Sequence, residues 1–161
     1  MADENRIVVG VDGSAGSRTA LHWAVAQAAL SGGTVEAVSA WSHADGYQWQ
    51  ARVTNYGWVP VPVLPARDEV RESTATELAR VVAEELGGTE PAPITLSTPE
   101  GHAATALLEA ARGARMLVLG RRGHGGFTGL LLGSVTRHCS EHATCPVVII
   151  PPADEPEREQ T

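Results

Sequence analysis

Short, unbroken apolar runs alternate with stretches of helical periodicity along most of this chain, and that alternation restricts the fold more than any other feature. Ile7-Val8-Val9-Gly10-Val11 is a continuous apolar run with polar flanks, the pattern of a strand covered on both faces. Asp12-Gly13-Ser14 follows as a turn, and Ser14 or Ser17 is placed to cap a helix. From Thr19 to Leu30 the apolar residues recur at helical spacing, and Gly32-Gly33 ends the run. Thr34 to Ala40 reads as strand, Asp68 to Leu86 as helix, Ile94 to Ser97 as strand and Ala103 to Ala111 as helix. Met116 to Leu119 is strand, Gly120 to Gly133 a glycine-rich loop, Ser134 to Ala143 helix and Val147 to Ile150 the last strand. This order predicts an α/β fold: an open five-stranded parallel sheet with helices on both faces. Such a Rossmann-like sheet, with strand order 3-2-1-4-5, binds ligands beyond the carboxyl ends of its strands, where the order reverses. The residues after strands one, two and four are therefore the ones to inspect.

The 161 residues suit a single domain, large enough to bury roughly 70% of its unfolded surface without disulfides or metal. We read residues 1–152 as that domain and 153–161 as a charged, disordered tail. The segment from Ser42 to Arg67 has no clear period and reads as a long loop. It holds or adjoins five of the seven aromatics, Trp41, Tyr47, Trp49, Tyr56 and Trp58. A cover for the sheet, a lid over a ligand and a partner surface all suit it, cover being favoured because exposed apolar area is limited in globular proteins.

All twelve basic residues are arginine and the net charge is −7. Without lysine there is no Walker-type phosphate loop and no Schiff-base chemistry. The acidic balance argues against general nucleic-acid binding. The polar start, Met1 to Arg6, lacks the apolar core of a signal peptide, and no stretch is long enough to span a bilayer. Cys139 and Cys145, six apart, read as reduced thiols, which places the chain in the cytoplasm. Arginine without lysine and abundant alanine point to a GC-rich, bacterial genome.

The strongest local signal runs from Gly120 to Ser134, between a strand and a helix: GRRGHGGFTGLLLGS. Glycines let backbone amides approach a ligand, and a helix N-terminus presents unpaired N–H groups. Residues 110–140 contain five arginines and no acid. That segregation favours a small polyphosphate over long nucleic acids. A solvated surface loop is the blander alternative.

Gly120, two residues, Gly123, nine residues, then Gly133-Ser134 resembles the ATP-binding signature of the universal stress protein family. The resemblance extends to about Pro151: Ile7 to Ser14 resembles that family's first strand and turn, Ala40-Trp41 the end of its second strand, Glu100-Gly101-His102 the start of its third helix and Cys145 to Ile150 its last strand. It implies that Asp12, with the backbone of Gly10 and Val11, meets adenine and ribose, and that Ala40 offers its backbone to the adenine edge. Gly120 and Gly123 would lie by the ribose and phosphates. Gly133, Ser134 and Val135 would hold phosphates, while Arg121 and Arg122 occupy variable motif positions. The resemblance implies ATP as the ligand, with or without magnesium, and a homodimer formed by antiparallel pairing of the last strand, Val147 to Ile150.

Other readings compete. His138 and His142 lie four apart, with Cys139 and Cys145 nearby, yet Cys139 stands where a metalloprotease helix needs glutamate. Ordinary packing and solvated histidines are favoured there over a metal. Thr128 and Ser134 could accept phosphate, as hydroxyls in glycine loops often could. A phosphoacceptor domain needs clustered acids and a lysine that are missing. An adenylating enzyme would carry its phosphate loop after strand one, whereas Ser31-Gly32-Gly33 follows the first helix. The expectation is an ATP-binding sensor or regulator in stress response, not a turnover enzyme, because no general base stands beside a water-positioning group in the glycine loop and no acidic pair for catalytic magnesium is evident there. The chief rival is an interaction module of the same fold that works without nucleotide.

Overall fold

The structure is a computed structural model that describes residues 4–46, 48–124 and 129–153. Thr128, and all of the predicted tail after Ala153, lie outside the described residues. The chain runs β1 (Arg6–Gly10), α1 (Ala15–Ser31), β2 (Thr34–Val38), a 3-10 turn (His43–Gly46), β3 (Gln48–Thr54), β4 (Gly57–Val63), α2 (Arg67–Leu86), β5 (Ile94–Ser97), α3 (Ala103–Ala110), β6 (Met116–Gly120), α4 (Ser134–His142) and β7 (Val147–Ile150). Five strands form a parallel sheet in the order β5-β2-β1-β6-β7. Counting only the strands of that sheet, the order is 3-2-1-4-5, as the alternation predicts.

The period-two pattern of β1 explains the layers. Ile7, Val9 and Val11 face a core shared with α1 and α2, including Leu21, Val25, Leu78 and Val81. Val8 faces the opposite core with Leu107, Ala111, Leu117, Leu119 and Cys139, which α3 and α4 close. Ile7, Val8 and Val9 have no exposed surface. A strand buried on both faces reads as an unbroken apolar run, which is why β1 shows no alternation in sequence.

Helix ends follow their local chemistry. Ser14, not Ser17, caps α1, its hydroxyl accepting the Ser17 N–H at 3.3 Å. Gly32 and Gly87 close α1 and α2 in the left-handed conformation, with φ of 65° and 57°, where glycine carries no Cβ penalty.

The segment after β2 corrects the sequence reading. Ser42 to Arg67 is not a structureless loop: β3 and β4 form an antiparallel hairpin that pairs with no strand of the main sheet. Tyr56 and Trp58 do not cover the sheet, and Tyr47 and the Trp49 side chain lie outside the described residues. Tyr56 is 98% exposed and Trp58 72%. Of the aromatics there, Trp41 is buried, its indole N–H donating to the Thr98 carbonyl at 3.0 Å. Pro60 and Pro62 hide β4 in the sequence, because proline inside a strand pattern argues against a strand.

Candidate functional site

The carboxyl ends of β1 and β6 lie side by side in the sheet, with β2 on the other flank of β1. At their mouth is a cleft of about 180 Å³, walled by the turn after β1, the end of β2, the glycine loop and the first turn of α4. Gly10, Val11 and Asp12 come from the first wall and Ala40 from the second. Gly120 and Gly123, then Gly133, Ser134 and Val135, supply the far side. Nine of the ten residues predicted from sequence therefore share one cleft. Arg121 does not line it. Its backbone instead ties the loop down: its N–H donates to the Ile150 carbonyl at 2.8 Å and its carbonyl accepts the Gly133 N–H at 2.9 Å.

Asp12 organises the cleft. Its Oδ1 accepts the Ser14 N–H at 2.9 Å and the Ser14 hydroxyl. Its Oδ2 accepts the His124 N–H at 3.1 Å, so one carboxylate joins the turn after β1 to the loop after β6. The surrounding protein, by itself, would raise the carboxyl's pKa. The donors from the Ser14 side chain, the Ser14 backbone and the His124 backbone outweigh that and hold it below its ordinary value. Asp12 is thus an ionised group whose oxygens are already engaged.

The glycines have steric reasons. A Cβ on Gly120 would lie 2.6 Å from the Gly16 carbonyl carbon and 2.9 Å from the Ser17 nitrogen. A Cβ on Gly10 would lie 2.8 Å from Leu119 Cδ2. The first two residues after Gly120 enter a loop that returns to α4, where Thr136 Oγ1 donates to the Gly120 carbonyl at 2.8 Å. Gly133 occupies the N-cap position of α4 with no side-chain cap bond, and the first turn contains no acid. Its leading amides and the positive end of the helix dipole face the cleft.

Sequence reading missed several lining residues: Ser17, Val38, Ser39, Ala103, His124 and Thr136. Ser17 and Thr136 are buried polar residues on helix first turns, and only contact with Asp12 N at 3.3 Å and with Gly120 reveals their place. A second recess of about 510 Å³ shares Val11, Asp12, Ser39 and Ala40 with the cleft and extends to Ser73, Thr74 and Glu77 of α2.

The alternative sites fare differently. His138 and His142 stack with ring centroids 4.2 Å apart. Among the described residues no group of three or more histidine, cysteine or acidic side chains is placed to hold a metal. Cys139 is buried and Cys145 half-buried, both as free thiols. Among the described residues no helix is long and apolar enough to cross a membrane.

A model of the universal stress protein family matches residues 4–151. A universal stress protein of Mycolicibacterium smegmatis is 32% identical over 149 residues, covering 91% of this chain and 45% of that protein. One from Mycobacterium tuberculosis is 30% identical over 147 residues, covering 89% and 44%. The chain thus spans about half the length of these relatives. Three solved structures share the fold. UspA from Lactobacillus plantarum has a TM-score of 0.68 at 20% identity, covering 93% of this chain and 99% of that one. A universal stress protein in complex with cAMP has a TM-score of 0.61 at 22% identity, covering 92% and 98%. One from Archaeoglobus fulgidus in complex with dAMP has a TM-score of 0.57 at 19% identity, covering 90% and 96%. On the match of the family model to nearly its whole described length, this chain belongs to the universal stress protein family.

Proposed function

We propose that the cleft binds an adenine nucleotide, ATP, and that the protein is a nucleotide-dependent sensor or regulator in stress response and not a turnover enzyme. One observation carries this reading: the turn after β1, the backbone at the end of β2 and the uncapped first turn of α4 converge on a single cleft. The far side suits phosphate, with α4 amides and Ser134 backed by glycines that leave the backbone accessible. The near side suits a base, with Val11, Val38 and Ala40 as apolar walls. Two proteins of this fold bear cAMP or dAMP, both adenine mononucleotides, which supports the base. The arginine-rich stretch from 110 to 140 supports a polyphosphate by long-range attraction.

Asp12 is the carboxylate among the residues lining the cleft. Its oxygens are occupied by Ser14 and His124 donors, which suits an orienting group better than a general base. Magnesium belongs to this reading only as the companion of a bound triphosphate. A homodimer through β7 is part of the proposal as well. That strand pairs with β6 on one side and closes the sheet on the other, and an open edge favours strand pairing. A cytoplasmic location rests on the two free thiols.

The test is to denature freshly purified protein and separate any released nucleotide by chromatography, then to titrate emptied protein calorimetrically with ATP, ADP, AMP and cAMP. Stoichiometric adenine nucleotide, or saturable ATP binding that Gly123→Asp abolishes, is the expected result. An empty protein that fails to bind any of the four leaves the interaction-module reading in its place.

A further inference from the structure

The hairpin β3–β4 is tied at its base and pairs with no strand of the main sheet. His43 Nε2 donates to the Pro65 carbonyl at 2.8 Å across the two connecting segments, and Arg67 ion-pairs with Glu100 just beyond. From Gln50 to Thr54 every residue of β3 is exposed. A two-stranded ribbon is marginal in water, and three or more strands with an apolar face are the usual stable form.

The register decides which backbone groups point outward. Thr54 faces Gly57 across the two-residue turn Asn55-Tyr56, which makes that pair hydrogen-bonded, and bonded and non-bonded pairs alternate from there. Val53–Trp58, Ala51–Pro60 and Trp49–Pro62 are therefore non-bonded pairs whose N–H and C=O groups point away from the partner strand. The prolines agree with this phase, since proline has no N–H to give inward. The outer edge of β4 consequently presents Pro60 and Pro62 where donors would be needed. The outer edge of β3 presents complete peptide groups at Trp49, Ala51 and Val53. Ala51, Val53, Trp58, Pro60 and Pro62 also share one apolar face, on which Val53 is 64% and Trp58 72% exposed.

We infer that the open edge of β3 pairs antiparallel with β3 of a second copy of this chain, about a two-fold axis at Ala51. The product is a four-stranded ribbon, β4-β3-β3-β4, with one continuous apolar face. In that register Ala51 stands opposite its own copy and Val53 opposite Trp49, so the three outward peptide groups of each strand meet three of the other. Arg52, the strand's only charge, stands opposite Gln50 and not opposite itself, which avoids like-charge pairing. The prolines of β4 block the other edge, and so the pairing closes at two copies instead of propagating. A single strand pair buries less than the roughly 1,200 Å² of a standard stable interface, which makes the contact concentration-dependent. It is separate from both the cleft and the β7 edge.

Sedimentation of the full chain from low to several hundred micromolar, with circular dichroism as the folding control, tests this. Ala51→Pro removes the central outward donor while sparing the hairpin's own ladder. Val53→Lys places a charge on the edge, and keeps the test available where proline disturbs the strand. Tyr56→Ser, at the exposed tip, is the control. Both edge variants are expected to raise the concentration of half-association by about tenfold or more, with the control matching the parent. Mild oxidation is expected to link Ala51→Cys into a covalent dimer, since paired backbones at this spacing lie within disulfide reach, and to leave Tyr56→Cys unlinked. Sedimentation profiles of the parent and both edge variants that superimpose at every concentration, or equal cross-linking at both positions, would overturn the inference, as would an edge that only a different protein occupies.

Discussion

Gly123 lies so close to Asp12 that it has no room for a side chain: a Cβ there would stand closer than 3.0 Å to Asp12 Oδ2. The same oxygen accepts the N–H of the next residue, His124, at 3.1 Å. The glycine thus allows the loop after β6 to close onto the acid after β1.

Gly123→Ala is expected to push the Asp12 carboxylate aside and break its bond to His124. Because the cleft loses its far wall while both cores stay intact, binding should suffer more than stability. We expect ATP affinity to fall by about tenfold or more with a shift of only a few degrees in Tm. Calorimetry and thermal melts on one preparation check both halves. Unchanged affinity would detach the Asp12 link from ligand binding.

Asp12→Asn addresses the acid limb of stability. The folded carboxyl titrates below its ordinary value, so its contribution is fully present above the unfolded value of about 3.9. That contribution is lost as pH falls through the lower folded value. Urea melts from pH 7 down to pH 3 should show a steady gap between parent and variant that narrows only below about pH 4. A gap that widens on acidification would contradict the sign.

Gly120→Ala and Gly33→Ala separate fold from site. Each would drive a Cβ into backbone, that of Gly16 and Asn5 respectively, where no side-chain rotation relieves the overlap. Both should lose about 1–3 kcal/mol in urea titration. Only Gly120 lines the cleft, and so only its variant should also bind ATP more weakly once folded protein is compared.

Cys139 should behave as core. Burial pushes its thiol up to about 11, so it holds its proton where an unfolded cysteine, near 8.5, has lost it. Its contribution to stability is then present at neutral pH and declines as pH rises past the unfolded value. A thiol reagent at pH 8 should reach Cys139 only after guanidine is added, and Cys139→Ala should flatten the alkaline limb. Fast labelling in the native state would mean that α4 opens readily.

The elements most legible in the sequence are those whose burial is decided locally. β1 and β6 are short apolar runs because each is covered on both faces, and α1 repeats its alanines every third or fourth residue because one stripe faces the sheet. Gly120, Gly123 and Gly133 were legible as a spacing. The hairpin was not, since Val53 and Trp58 stay exposed and its prolines sit at the only strand positions that tolerate them. Ser39 and Thr136 carried no signal and Ser17 only that of a helix cap, being ordinary polar residues until the sheet order brings β1 beside both β2 and β6.

The amino-acid sequence by itself determined the alternation of strands and helices and the glycine loop between the fourth strand of the sheet and the last helix, because periodicity records which side of each element is buried. Tertiary structure alone decided that Asp12 meets the His124 N–H across more than a hundred residues, that Arg121 turns its backbone to β7, and that one edge of the hairpin is left open. Those outcomes depend on strand order and pairing register, which arise only when separate segments compete for the same neighbours, and no local pattern encodes that competition.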